Sequence, residues 1–319
     1  MSVMLLFLGH RTAELLLNRQ EVESLSPSVD QGLEHCWASR ADMSHVDLSL
    51  LEGIPQPYDV LVSSPKEIRH WKGVTCHLCK DELPSGSFIE LAQDLFVASP
   101  ALCLVQRSQA LTLAQSVVVA DRLCSTYALD KKRRSGIRER KQLVTLEDLK
   151  TYLDRCSRLR GIEQARRSLT LAREGSASPM ETVSRLVFCL PRRLRSLGLS
   201  APLMNYEKTL SEAAQRLVDK GFIRIDLYWE NYGFGIEYQG KYAHSSLSSI
   251  EDDIARQLAA ERMGIELQMM TIKQLRNQAQ RMEIARKIAR RIGEHIPSDA
   301  SSWAANQRLT EELLSTPGA

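Results

Sequence analysis

The chain has 319 residues and a formal net charge of +3, with 43% hydrophobic and 25% charged residues. This length allows two domains with cores of their own, and the composition is ordinary for a soluble globular protein. No apolar run approaches the roughly 20 residues of a membrane-spanning helix, and residues 1–17 lack the features of a signal peptide. The net charge alone is too small to indicate a nucleic-acid ligand.

The seven cysteines have scattered spacings, which are not typical of a secreted disulfide framework, so we expect a reducing, cytoplasmic location. Cys76 and Cys79 form a CxxC pair with no second pair at zinc spacing. We therefore interpret both as residues of a strand and not as metal ligands.

Residues 1–130 are predicted to form a smaller α+β domain. Residues 11–18 have helical spacing, three β-type runs follow, and 109–127 has the apolar face of a buried helix. The β-type runs are 59–63, 73–79 and 88–98. The five histidines of this part have no regular spacing, so each is predicted to be structural or exposed; they are His10, His35, His45, His70 and His77.

Residues 131–175 are predicted to form a basic helical connector. The stretch 131–141, KKRRSGIRERK, is either a solvated linker or an arm that contacts phosphates, and composition does not separate the two. Thr145 and Asp148 have the spacing of a capping box at the start of a helix. A second basic helix is predicted over 162–173.

Residues 176–296 are predicted to form an α/β domain in which helices flank a mixed sheet. Its first helix has Ser178 as the predicted N-cap and Glu181 as the third helical residue. The later predicted elements are a strand over 203–210, a hairpin over 221–244, a helix over 250–263, a strand over 264–270 and a helix over 271–292. Residues 297–319 are expected to form a polar, peripheral tail.

The hairpin over 221–244 carries the candidate catalytic residues. Asp226 lies in its first apolar run, and Glu237 and Gln239 lie in its second. Strand alternation places Glu237 and Gln239 on one face, and the simplest register places Asp226 across from them. Buried carboxylates are costly unless they are paired or bind a metal. We therefore predict a functional site at this hairpin.

This order of elements, with Asp226 and Glu237-Tyr238-Gln239 on a hairpin, resembles the PD-(D/E)XK nuclease superfamily. The resemblance is narrower to its very-short-patch-repair-like branch. Residues 178–181 are similar to that group's opening Ser-x-x-Glu helix, and 237–240 with His244 to its Glu-x-Asp-Gly…His. The resemblance covers about 176–292 and implies a restriction-endonuclease-like fold.

Two further segments carry a resemblance. Asp253 and Arg256, followed by Gly264, are similar to the Asp-x-x-Arg…Gly helix and turn of the same branch. More loosely, the first domain resembles the AbiEi-like abortive-infection antitoxins in residues 10–13, 74–78 and 99–127. That second resemblance implies an antitoxin-type protein with a nuclease-like C-terminal domain and a toxin partner.

The resemblance implies a site for Mg²⁺ or Mn²⁺ and hydrolysis of DNA phosphodiester bonds. Asp226 and Glu237 would be direct metal ligands, with the Tyr238 carbonyl as a third. Glu181 would reach the metal directly or through water. A cation held by carboxylates polarises both water and phosphate, which is the chemistry that this reaction needs.

Gln239 stands where the superfamily usually has Lys and where this branch often has Asp. Glutamine cannot accept a proton, so it can only position water by hydrogen bonds. His244 is the other candidate for a general base or phosphate contact, and Lys241 is a possible substitute for the missing lysine. The predicted nucleic-acid contacts are Arg192, Arg193, Lys241 and Arg256.

Each of these residues also has a purely structural interpretation. Asp226 could pair with Arg224 or cap a strand end, and Glu237 could lie half-exposed at a sheet edge. Asp253 and Arg256 have the spacing of a surface ion pair. Glu181 could serve only as a capping residue.

Three functions therefore stay open. The first is a Mg²⁺-dependent DNA endonuclease. The second is a non-catalytic DNA-binding antitoxin, or regulator of a toxin–antitoxin or abortive-infection system, that keeps a nuclease-like scaffold. The third is a protein-interaction module with no nucleic-acid ligand.

Overall fold

The computed structural model describes residues 5–27, 33, 49–70, 72–218, 220–240 and 247–316. The predicted site residues Lys241 and His244 lie outside the described residues. No helix in the described parts of the chain has both the length and the apolar character needed to cross a bilayer. The chain divides into two compact units. The first comprises Met1–Cys124, Ala128–Asp130 and Arg140–Ala172, and the second comprises Ser125–Tyr127, Lys131–Glu139 and Arg173–Ala319.

The first unit contains a five-stranded mixed sheet in the order β3-β2-β1-β5-β4. Its strands are β1 (Leu6–Leu8), β2 (Tyr58–Val62), β3 (Val74–Leu78), β4 (Phe88–Ala92) and β5 (Leu95–Ala98). Its helices are α1 (His10–Leu16), α2 (Gln20–Glu23), α3 (Pro100–Ser108), α4 (Leu113–Leu123), α5 (Leu146–Arg155) and α6 (Ile162–Leu169). Two short strands, β6 (Tyr127–Leu129) and β7 (Ile137–Glu139), fall where the chain changes units.

Several predictions for this unit are confirmed. The β-type runs at 59–63 and 73–79 are β2 and β3, and Cys76 lies within β3 as interpreted. The run 88–98 is not one strand, because the chain turns at Asp94, where φ is +63°, and returns antiparallel. Helix α3 was not predicted.

The prediction of a separate helical connector over 131–175 is wrong. Helices α5 and α6 belong to the first unit, and α6 packs against α3 and α4. The reason is their apolar face, since Leu149, Leu153 and Ala165 are buried. The predicted capping box of α5 is present: Thr145 accepts from the Asp148 N–H at 3.0 Å, and Asp148 accepts from the Thr145 N–H.

The second unit contains a four-stranded mixed sheet in the order β11-β10-β9-β8. Its strands are β8 (Leu203–Thr209), β9 (Phe222–Trp229), β10 (Phe234–Gln239) and β11 (Glu266–Thr271). Its helices are α7 (Pro179–Cys189), α8 (Glu212–Gln215), α9 (Leu247–Arg262), α10 (Ile272–Arg276), α11 (Gln278–Ile292) and α12 (Ala300–Ser315). Strands β10 and β11 are parallel, and the other pairs are antiparallel. The α/β class and the mixed sheet flanked by helices are thus confirmed.

The hairpin of β9 and β10 turns through a short 3-10 segment, Glu230–Tyr232, and Gly233. Gly233 has φ of +55°, and a Cβ there would lie 2.8 Å from the carbonyl oxygen of Gly264. A larger residue at 233 would therefore strain its own backbone and collide with the carbonyl oxygen of Gly264. The sheet packs on α9 through Ile223, Ile225 and Tyr228, which form one core cluster with Ala259 and Ala260.

The expectation of a peripheral tail after 297 is wrong, because residues 300–315 form α12 and bury Trp303, Leu309 and Leu313. The single helix predicted over 271–292 is also wrong. Asn277 separates α10 from α11 and caps α11, since its side chain accepts from the Gln280 N–H at 3.0 Å.

Candidate functional site

Three polar residues lie side by side on adjacent strands of the second sheet and form a row: Asn205 on β8, Asp226 on β9 and Glu237 on β10. The β9–β10 ladder pairs Trp229 with Phe234 through to Leu227 with Ile236, so its next position sets Asp226 opposite Glu237. The β8–β9 register likewise sets Asn205 opposite Asp226. Directly opposite residues of antiparallel strands share a face. The predicted relation of Asp226 to Glu237 is therefore confirmed.

The backbone of the hairpin holds Asp226 in place. Tyr238 donates its N–H to Asp226 Oδ2 at 2.7 Å, so a side-chain hydrogen bond follows the last ladder pair. Arg224 instead pairs with Glu207 at 2.7 Å. Of the two structural interpretations of Asp226, pairing with Arg224 is wrong.

Helix α7 brings a third carboxylate to this row. Ser178 caps α7, and its hydroxyl donates to Glu181 Oε1 at 2.8 Å. Glu181 Oε2 accepts from the Ala177 N–H at 2.8 Å and from the side-chain amide of Asn205. Glu181 is thus a capping residue, as one interpretation required, and it is also joined to the strand row through Asn205.

The backbone at Asn205 is unusual for a strand. Its φ is +47°, in the left-handed region that non-glycine residues seldom occupy and that asparagine tolerates better than most. Such conformations persist where surrounding structure enforces them, and they concentrate at functional sites. Here the strained residue is the one that donates to Glu181.

Glu237 lies inside the sheet and not at its edge, because β10 is flanked by β9 and β11. Only 6% of the residue is exposed. Its Oε2 accepts from Arg256 at 2.8 Å, whereas its Oε1 is buried and accepts no hydrogen bond from any residue that the structure describes. A buried carboxylate oxygen without a donor is costly, which makes Oε1 available to a ligand.

Burial raises the pKa of all three carboxyl groups. The pKa of Glu181 is raised to about 7 and that of Glu237 to about 8, by burial first and then by repulsion from Asp226. The pKa of Asp226 is raised to about 6 by burial, against the opposing effect of the Tyr238 N–H and Arg256. Closely spaced carboxylates in a dry setting resist joint ionisation. They also favour any cation that relieves the repulsion.

These carboxylates line an open cavity of about 690 Å³. Of the residues that the structure describes, five acidic and three basic side chains line it, a formal excess of two negative charges. The acidic residues are Glu181, Asp226, Glu237, Asp252 and Asp253, and the basic residues are Lys220, Arg224 and Arg256. Apolar side chains form another part of its wall, with Leu217 and Phe222 both partly exposed.

Four other predicted site residues that the structure describes do not line this cavity: Tyr238, Gln239, Arg192 and Arg193. Gln239 and Tyr238 end β10 half-buried, and Tyr238 contributes its backbone N–H to Asp226. Arg192 donates to the carbonyl oxygen of Leu197 at 3.2 Å, which is a structural contact, and Arg193 is exposed. Of the four predicted nucleic-acid residues, only Arg256 is among the described residues that line the cavity.

Asn205, Lys220, Arg224 and Asp252 line the cavity and were not predicted as site residues. Asn205 could have been found from the sequence, because it is the polar residue of β8 that faces Asp226 in an antiparallel register. Lys220 and Arg224 flank the start of β9 and give no local signal that separates them from surface residues.

The donor chemistry of the cavity suits a hard divalent cation, since its carboxylate oxygens are the ligands that Mg²⁺ prefers and Glu237 Oε1 is unpartnered. Among the described residues, no group of three His, Cys, Asp or Glu side chains is arranged to hold a metal ion. Direct coordination by all three carboxylates therefore stays a prediction, and Asp226 with Glu237 is the pair that the hairpin register brings together.

Comparison with family models, curated proteins and solved structures gives no match to this chain.

Proposed function

We propose that the second unit is a divalent-cation-dependent DNA endonuclease of the PD-(D/E)XK type, in which Asp226 and Glu237 hold Mg²⁺ or Mn²⁺. The observation that supports this most strongly is the Asp226–Glu237 pair at an open cavity, in which Asp226 is half-buried and Glu237 is buried with one oxygen unpartnered. Buried carboxylates at a cavity with raised pKa values are typical of functional sites.

A cation bound by these carboxylates supplies Lewis acidity toward water and phosphate. The protein's own residues orient the site around it. Ala177, Ser178 and Asn205 donate to Glu181 and hold its carboxylate toward Asp226. The Tyr238 N–H fixes the orientation of Asp226. Outside the described residues, His244 is proposed to accept the proton of the attacking water, a role that Gln239 cannot take.

The charge of the cavity sets a condition on substrate binding. Its excess of acidic side chains repels a phosphate, while Lys220 and Arg224 at its wall attract one. A bound divalent cation removes the excess negative charge. We therefore propose that the cavity takes a phosphodiester only together with its cation.

The second candidate is a non-catalytic, antitoxin-type DNA-binding protein that keeps this scaffold and acts with a toxin partner. The observation that favours it is the ion pair of Arg256 with Glu237, which neutralises the glutamate without a metal. Glutamine at 239 in place of lysine agrees with that function. This candidate predicts salt-sensitive DNA binding that needs no divalent cation.

The test is nicking of supercoiled DNA with Mg²⁺ or Mn²⁺ by the wild-type chain, Asp226→Asn and a control, Glu230→Gln. Glu230 lies at the exposed turn of the same hairpin and pairs with Lys208, away from the row. We expect Asp226→Asn to lose about 100-fold or more of the activity and Glu230→Gln to keep it. Equal nicking by all three proteins, or none by the wild type, overturns the proposal.

A further inference from the structure

The cavity already contains a cation that belongs to the protein. Arg256 on α9 places Nη2 2.8 Å from Glu237 Oε2 and 2.9 Å from the carbonyl oxygen of Arg224. Its guanidinium carries a positive charge. One of the two oxygens of Glu237 is therefore neutralised by the chain itself.

The two partners of this ion pair differ in their freedom to move. The Glu237 side chain is 8% exposed and belongs to an internal strand, whereas the Arg256 side chain is 37% exposed and projects from a helix. Breaking the pair without replacing the charge would leave a buried carboxylate unpaired, which is strongly unfavourable. Arg256 can therefore leave Glu237 only when a proton or another cation takes its place, and above the raised pKa of Glu237, about 8, that must be another cation.

An acceptor for a released guanidinium lies on the same helix. Asp252 is exposed, lines the same cavity and is one helical turn before Arg256 on α9. The other hydrogen-bond partner of Arg256, the backbone carbonyl of Arg224, is a neutral group.

We propose that Arg256 is the resident counter-ion of the cavity and that a divalent cation binding at Glu237 competes with it and displaces its guanidinium. This inference rests on the proposed function in taking that function's cation as the competitor. It adds a regulatory step, since cation binding frees a guanidinium at the cavity wall for a phosphate. Binding of the cation and of an anionic ligand should then be positively coupled, and the coupling must be reciprocal.

Arg224 provides a matched control for the loss of a positive charge. It lines the same cavity but pairs with Glu207, at 2.7 Å, and both side chains are about half exposed. Arg224→Gln removes one positive charge from the cavity without removing the partner of Glu237. Any general electrostatic gain in cation affinity is therefore common to Arg224→Gln and Arg256→Gln, while relief of competition belongs to Arg256→Gln alone.

The experiment is a Mn²⁺ titration followed by the electron paramagnetic resonance signal of the free ion, above the raised pKa of Glu237, about 8. We expect Arg256→Gln to bind Mn²⁺ about 10-fold more tightly than the wild type and Arg224→Gln to differ from it by about 2-fold or less. Arg256→Lys, which keeps a competing charge, should stay near the wild type. Circular dichroism of each variant confirms that it is folded.

Equal Mn²⁺ affinity in Arg256→Gln and Arg224→Gln overturns the inference, and so does absence of Mn²⁺ binding in all four proteins. Its failure is distinct from failure of the proposed function. Metal-dependent nicking with no selective effect of Arg256→Gln keeps the function and rejects the counter-ion. A selective gain in Mn²⁺ affinity with no nicking keeps the counter-ion and rejects the nuclease.

Discussion

Asp226 faces Glu237 across the hairpin of β9 and β10, one position beyond the last ladder pair of Leu227 and Ile236. At that position the Tyr238 N–H turns to the Asp226 carboxylate. Burial, and then repulsion from Asp226, raises the pKa of Glu237 to about 8.

The second unit should lose stability as the pH rises. Folded Glu181, Asp226 and Glu237 have raised pKa values, so between about pH 4 and pH 8 the folded state binds more protons than the unfolded state. The free energy of unfolding without divalent cations therefore falls across this range. Thermal unfolding at a series of pH values measures it. Asp226→Asn should make the free energy of unfolding less dependent on pH and should raise the melting temperature at pH 8. Glu283→Gln, an exposed control on α11, should do neither.

Histidine 10 should make the first unit sensitive to acid. Its ring stacks on His77 with centroids 3.7 Å apart, and His77 pairs with Asp59 at 2.7 Å. Burial, and then the charge of His77, lower the pKa of His10 to about 3. The unfolded state binds more protons than the folded state below about pH 6.5, so stability is lost as the pH falls from there.

His10→Asn tests this acid sensitivity, because asparagine tolerates the backbone φ of +47° and does not titrate. The variant should show a smaller fall in melting temperature between about pH 7 and pH 5 than the wild type. The exposed His295 provides the control substitution His295→Asn, which should leave the fall unchanged. An identical fall in His10→Asn contradicts the assignment.

Arg281 should be essential for the docking of α12. It is fully buried and donates to Asn306 Oδ1 at 3.0 Å, Gln307 Oε1 at 2.7 Å and the Leu275 carbonyl at 2.6 Å. Arg281→Ala leaves these acceptors unsatisfied and should cost about 3 kcal/mol or more of unfolding free energy. Arg286→Ala, at an exposed position of the same helix, should cost about 0.5 kcal/mol or less. Urea denaturation of both variants measures the difference.

The two roles of Glu181 can be separated. Ser178→Ala removes the cap of α7 and one of the three donors to Glu181, so it should cost about 1 kcal/mol of stability and weaken Mn²⁺ binding less than Glu181→Gln does. Glu181→Gln keeps acceptor and donor atoms at the helix start but removes the charge, so it should weaken Mn²⁺ binding without a comparable loss of stability. Equal Mn²⁺ binding by Glu181→Gln and the wild type would limit Glu181 to capping.

Local patterns predicted the part of the fold that positions the site. Alternating apolar residues with a glycine turn indicated the β9–β10 hairpin, and the Ser178–Glu181 spacing indicated the start of α7. Both signals are local, because alternation and capping depend on residues a few positions apart. The facing of Asp226 and Glu237 followed from the same hairpin register.

Other features depend on partners distant in the sequence. From the sequence, Arg281 is indistinguishable from the other basic residues of its helix. Its burial follows from α12, which begins nineteen residues later. His10, Asp59 and His77 come together only because β1, β2 and β3 are adjacent in the sheet. Arg256 had the spacing of a surface ion pair with Asp253, and nothing in that spacing indicated its bond to Glu237 on β10. No local pattern carries that information.

The most direct test of the account is anomalous diffraction from crystals of the wild-type protein soaked in Mn²⁺. We expect an anomalous peak within coordinating distance, roughly 2.0–2.3 Å, of a carboxylate oxygen of Asp226 and of Glu237, with the Arg256 guanidinium withdrawn from Glu237. The peak should be lost in Asp226→Asn. No peak between these carboxylates, or a peak at other residues alone, would contradict the account.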